Sequence, residues 1–155
     1  EAAARAGVMV VLDPAPVREV PEGFYDSVTV LTPNQGEASS MADVDVIDAT
    51  SARTAAVKIR NSGIETVIVT LGDQGACVES DGISELLEPF GVDVVASVAA
   101  GDAFNGGFGV GVASGMHLLD AARLGMASGA LCVTRDGAQE SMASRAEVDA
   151  LLASR

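Results

Sequence analysis

Apolar residues along this chain fall into short runs of strand length, separated by longer stretches with helical spacing. Val8–Leu12 is the first run, closed by Asp13-Pro14-Ala15-Pro16, and Ser27–Leu31 is the second, closed by Thr32-Pro33-Asn34. Thr50–Asn61 has helical spacing that directs Ala55, Val57 and Ile59 toward a core, and Gly63 punctuates its end. Thr66–Leu71 predicts a buried strand. Ala76–Glu79 and Ser84–Leu87 flank Asp81-Gly82, the signal of a hairpin. Val92–Val95 predicts a further strand. Two helices follow, over Ala103–Ser114 and Leu119–Val133, ended by Gly115 and by the Arg135-Asp136-Gly137 turn. Glu147–Leu152 predicts a last short helix. Strands alternating with helices predict an α/β fold with a mostly parallel sheet.

Composition supports one domain over 1–155, since 155 residues with 48% hydrophobic content can bury a core. Aromatics are only 3%, so that core is built from small aliphatic side chains that allow close helix–sheet contact. Glu1–Gly7 resembles the last turns of a helix closed by a glycine, and the chain is expected to be the C-terminal portion of something longer. No apolar run approaches membrane-span length, and no signal-type segment is present. The formal net charge of −13 argues against nucleic acid and anionic membranes as partners. Cys77 and Cys132 each sit in an apolar run, which predicts buried free thiols. His117 is the single histidine and no zinc pattern exists; it is expected at a helix boundary, on the surface or capping.

The candidate chemistry centres on Ala99-Ala100-Gly101-Asp102-Ala103-Phe104-Asn105-Gly106-Gly107. Small residues running into an aspartate ahead of a helix suit a phosphate cradle, because free N–H groups and the helix dipole favour an anion there. A net-negative protein can still bind ATP in this way. Asp102 beside that anion makes sense as a base for an attacking hydroxyl, or simply as a helix cap. Asn34 and Glu37 stand one helical turn apart, and Asn-x-x-Glu also fits a capping box. Thr70 and Gly72 end a buried strand, where backbone can approach a nucleotide or merely turn.

Five segments, in order, resemble the ribokinase-like (pfkB) family of carbohydrate kinases. They are Leu12-Asp-Pro-Ala-Pro16, Thr32-Pro-Asn-Gln-Gly-Glu-Ala38, Thr70-Leu-Gly-Asp-Gln-Gly75, Ala99–Gly106 and Val133-Thr-Arg-Asp-Gly-Ala-Gln-Glu-Ser141. The last is similar to the tail of ribokinases proper. The resemblance implies the C-terminal portion of a ribokinase-like three-layer sandwich and γ-phosphoryl transfer from MgATP to a small sugar, most of all D-ribose. Asp102 would be the base and contact the substrate, with Ala99, Ala100 and Gly101 forming the anion hole. Asn34, Thr70, Leu71, Gly72, Asp73, Gln74, Gly75, Gly101, Asp102 and Met126 would meet the nucleotide. Glu37, with Asn34, would help hold Mg²⁺. A homodimeric, cytoplasmic intact enzyme is implied, while this chain alone is expected to be inactive, and either poorly stable or prone to associate.

The family's signature opens with Asp-Thr where this chain has Ala96-Ser97. The resemblance would build a potassium site from Ala96, Val98, Cys132, Arg135, Gly137 and Ser141, largely through backbone carbonyls, and loss of the carboxylate predicts weak or absent potassium dependence. Other readings are a kinase of the same superfamily acting on fructose, a deoxy-sugar acid or a nucleoside, and a non-catalytic remnant that binds nucleotide or only a partner subunit.

Overall fold

A computed structural model of the chain describes residues 2–154, all but Glu1 and Arg155. Thr66–Thr70 (β3) lies at the centre of a five-stranded sheet, and Val67, Ile68 and Val69 are fully buried. Val30–Leu31 (β2) and Val11–Leu12 (β1) pair parallel on one side. Ala76–Ser80 (β4) and Ile83–Leu87 (β5) follow as an antiparallel hairpin on the other. Gly82 at φ +70° makes the two-residue turn, as its place after Asp81 predicts. Since β5 opposes β4, four of the five strands run in one direction, and the mostly parallel α/β expectation holds.

β1 and β2 are shorter than their apolar runs, because strand structure extends only where a neighbour supplies a ladder. Val8 and Met9 stand 56% and 45% exposed ahead of β1, at the edge of the sheet. Before them Ala2–Arg5 (α1) ends at Gly7, φ +68°, in the way its sequence suggests.

Two helices pack on the sheet. Ala49–Arg60 (α3) begins at Asp48, whose carboxylate accepts from Ser51 N while the Ser51 hydroxyl reaches back to Asp48 N. Its buried residues are Ala52, Ala55, Ala56 and Ile59, spaced i, i+3, i+4, i+7. Val57 is instead 42% exposed: two residues from Ala55 is over half a turn away, so both cannot face the sheet. The alanine face lets α3 sit close on Leu31, Val67, Val69 and Cys77, with Ala38 and Ala42 of Gln35–Ala42 (α2) in the same core.

Contacts divide the chain after Glu88. The second unit holds Ala100–Ala113 (α4), Leu118–Cys132 (α5) and Arg145–Ala153 (α6). The expected strand Val92–Val95 is irregular: it finds no ladder, and Val94 and Val95 remain exposed. α4 and α5 approach closely through glycine. A Cβ on Gly111 would lie 2.8 Å from Ala121 Cα, and one on Gly125 would lie 2.7 Å from the Phe104 carbonyl oxygen. Phe104 and Phe108 stack below this seam, ring centroids 6.2 Å apart.

Helical glycines therefore divide into two kinds. Gly125→Ala is expected to lower stability by about 1–3 kcal/mol through overpacking against backbone. Gly109, with nothing within 4 Å of a Cβ, should gain up to about 1 kcal/mol as alanine from helix propensity. Urea denaturation of the two variants checks the opposite signs.

Candidate active site

In the first unit, two loops leave the C-terminal ends of neighbouring parallel strands, the place where open α/β sheets bind ligands. After β2, Asn34 is the N-cap of α2. Its Oδ1 accepts from Glu37 N at 2.9 Å, and Glu37 Oε2 accepts from Asn34 N at 2.8 Å. The capping-box reading of this pair is thus realised, and it leaves Glu37 Oε1 uncommitted. After β3, Leu71, Gly72, Asp73, Gln74 and Gly75 form one tight loop. Gly72 and Gly75 take φ +60° and +93°, and Leu71 N donates to Gly75 O. Thr70 bridges to Asn34 and donates its N–H to Pro33 O at 3.0 Å, so the two loops are neighbours. The exposed amides of Gly72 and Asp73 meet no acceptor among the described residues.

In the second unit, α4 starts at Ala100, three residues earlier than its periodicity suggests. Ala99 makes this start by adopting φ 62°, ψ 10°, a left-handed conformation that costs a non-glycine residue about 1–2 kcal/mol. Asp102 is consequently in the first turn of the helix, exposed, and is not its cap. Ala99 offers no side chain to cap with, and the amides of Gly101 and Asp102 find no acceptor among the described residues. A fixed pair of donors, a helix dipole and a carboxylate share one turn. Asp102, Gly106 and Val110 also line a cleft of about 240 Å³ with Ser128, Met142 and Arg145. Met126 lies half-buried on α5, and His117 holds the N-cap position of α5 without a side-chain cap bond.

Of the six residues expected around potassium, Val98, Cys132 and Ser141 come together. Cys132 Sγ lies 3.6 Å from the Val98 carbonyl oxygen and 3.1 Å from Ser141 Oγ, and Ser141 Oγ donates to Ala138 O at 2.7 Å. Ala96 supplies no carboxylate, and its amide donates to Val133 O. The Arg135 guanidinium turns to Glu147 at 2.5 Å, and Gly137 N donates to Asp136. Polar groups here satisfy one another, and among the described residues no cluster of acidic, cysteine or histidine groups is suited to a metal. Mg²⁺ fits better at Glu37, whose free oxygen is a hard ligand that could act through water.

The pfkB family carbohydrate kinase model matches residues 1–145. The chain belongs to that family. It is 39% identical over 145 residues to the ribokinase of Haemophilus influenzae, covering 94% of this chain and 47% of that protein. The crystal structure of Thermotoga maritima ribokinase superposes with TM-score 0.88 at 34% identity, covering 97% of this chain and 51% of the other. Arabidopsis thaliana ribokinase, complexed with ribose and ATP, gives TM-score 0.85 at 31% identity, with 96% and 48% covered. The fold is therefore that of ribokinase, and the chain spans about half the length of these relatives.

Within this pfkB fold, sequence reasoning missed the glycines that seat α4. Gly107 and Gly111, and Gly125 and Gly129, are each four apart, a spacing that puts both of a pair on one helix face. A Cβ on Gly129 would come within 3.2 Å of the Ala100 carbonyl oxygen, so Gly129 supports the turn before Asp102. Also unforeseen is the lock at the start of α6. Glu147 accepts from Ser144 N and Oγ and from Arg135, and these bonds pull its carboxyl down to about 2. Depression of a carboxyl stabilises the fold above the unfolded value and is lost as pH falls through the folded one. Glu147 should therefore titrate near pH 2, against an ordinary 4.5, with its stabilisation fading between those values. Carboxyl NMR titration checks the midpoint, and Glu147→Gln should flatten that part of the stability profile.

Proposed function

We propose that this chain carries the nucleotide-binding and phosphoryl-transfer machinery of a ribokinase-type sugar kinase, with D-ribose as acceptor and ribose 5-phosphate as product. The observation that carries this reading is the first turn of α4, where the Ala99 conformation leaves two amides free beside an exposed Asp102. The family supports a carbohydrate acceptor, and the ribokinases among the relatives support ribose in particular.

In the proposed reaction the Asp102 carboxylate takes the proton of the sugar hydroxyl as its oxygen attacks the γ-phosphorus. The bond from that phosphorus to the β,γ-bridging oxygen breaks, and ADP leaves with the electron pair. The amides of Gly101 and Asp102 would donate to the non-bridging oxygens as their charge redistributes, with no reorganisation needed at that moment. Such a site works by position and charge rather than by covalent chemistry. The loop Leu71–Gly75 would meet the nucleotide, its free amides at Gly72 and Asp73 supporting that role. Glu37 and Asn34 would hold Mg²⁺, partly through water, and the ion when bound would neutralise phosphate charge. Much of the sugar selection would rest with residues of the relatives' length that this chain does not span.

Asp102→Asn preserves shape and removes the base. Turnover in the intact enzyme with MgATP and ribose should fall about 10²–10⁴-fold, while the MgATP dissociation constant changes less than about twofold. Steady-state kinetics and calorimetry test the two halves of that statement, and unchanged turnover would refute the assignment. A panel of fructose, a deoxy-sugar acid and a nucleoside, compared by kcat/KM, tests ribose.

A further inference from the structure

α4 is apolar nearly all round, with Asp102 and Asn105 the only polar residues in its fourteen. A helix of that kind belongs inside a protein, whereas a surface helix turns charged and polar groups to water. The side toward α5 is filled, since Phe104 and Gly111 are buried against Gly125 and Ala121. A second side is not. Asp102, Gly106, Val110 and Ala113, three or four residues apart, form one exposed stripe. Val110 is 48% exposed, and a Cβ on Gly106 would meet nothing within 4 Å. The exposed positions of other helices are different in kind: α3 presents Arg53 and Lys58, and α5 presents Asp120 and Arg123.

This stripe is one wall of the cleft of about 240 Å³ that α5 and the start of α6 complete. Beyond Asp102, the polar groups of the cleft are engaged within their own helices. Ser128 Oγ donates to Leu124 O at 2.8 Å, and Arg145 Nε donates to Asp149 at 2.7 Å. The rest of the lining is apolar, with Met142 a further 38% exposed. A hydroxyl-rich sugar finds few partners along such a wall, and an apolar protein surface finds many. A second copy of this chain would bring another net charge of −13 to the face. The relatives point to a different cover, because about half the length of each lies outside the part that this chain matches.

We propose that in the intact protein this side of α4 is an internal packing surface, covered by an apolar element from the part of the family's length that this chain does not span. Burial of Val110 and Met142 would contribute to holding that element in place. Asp102 stands at the end of the same stripe, so the covering element would also flank the carboxylate and exclude water beside it. The docking rests on family membership and on the character of α4, and only this last consequence rests on the kinase reading.

Thiol labelling with Ellman's reagent tests the docking, because Cys77 and Cys132 are both buried. In the 155-residue chain the Val110→Cys variant should react as quickly as the Lys58→Cys variant, which marks an exposed position of α3. In the intact protein the Val110→Cys thiol should react about a hundredfold more slowly, since labelling there awaits a local opening, while the Lys58→Cys thiol keeps its rate. Comparison of the two thiols within the intact protein decides the matter without the shorter chain. Val110→Lys gives a second reading. Lysine suits the last turn of a helix, so the variant should not lower the urea midpoint of the 155-residue chain, yet it should lower that of the intact protein. Equal labelling of the two thiols in the intact protein would overturn the proposal. So would protection of the Val110→Cys thiol that appears in the 155-residue chain and rises with its concentration, the mark of a second copy on this face. None of these measurements reads turnover, so an intact protein that phosphorylates no sugar would sink the kinase reading and leave the docking standing.

Discussion

The close approach of α4 to α5 is the constraint on which the second unit depends. Gly125, Gly129, Cys132 and Val133 lie at i, i+4, i+7 and i+8, one face of α5. Gly125 admits the Phe104 backbone, Gly129 admits the Ala100 carbonyl, Cys132 meets Val98 and Val133 meets Val95 and Ala96. Each contact fixes a position nearer the start of α4 than side-chain packing at normal interhelical distance would. Glycine in a helix costs about 1 kcal/mol against alanine. Here that cost is offset by contact and by the position it imposes on the turn before Asp102.

Helix starts in this chain divide by what they do with their free amides. α2, α3 and α6 each close a capping box, through Asn34 and Glu37, Asp48 and Ser51, and Ser144 and Glu147. Those side chains satisfy donors that would otherwise seek water. α4 begins on an alanine in a left-handed conformation and leaves the amides of Gly101 and Asp102 open. A start that is both strained and uncapped is disfavoured twice by local energetics. Its persistence requires support from elsewhere in the structure, which α5 supplies.

The parts of the fold that were legible in the sequence are those decided locally. Asp81-Gly82 marks a turn by backbone freedom alone, and α5 ends within one residue of its periodic pattern. Val92–Val95 misleads because β-branched residues favour a strand only where a neighbour offers a ladder, and none does. The turn before Asp102 was legible as a run of small residues, but its register was not. Alanine at position 99 carries no sign of a positive φ, so the helix start falls three residues early and changes Asp102 from a cap to a first-turn carboxylate. The partnership of Cys132 with Val98 spans 34 residues and belongs to packing, which a single sequence does not display.

Net charge would leave recognition at the proposed site to the backbone. With 22 acidic residues against 9 basic ones, long-range attraction for a nucleotide is absent. Several cations are also committed, Arg53 to Glu79, Arg123 to Asp120, Arg135 to Glu147 and Arg145 to Asp149. Amides at Gly72 and Asp73, and at Gly101 and Asp102, differ from lysine or arginine in two respects. They lose no side-chain entropy on binding, and they cannot pair with the surrounding carboxylates. Fixed backbone dipoles can thus select phosphate in a protein whose overall field opposes it, provided the turns that aim them stay rigid. That condition ties the chemistry proposed at Asp102 back to the glycine face of α5.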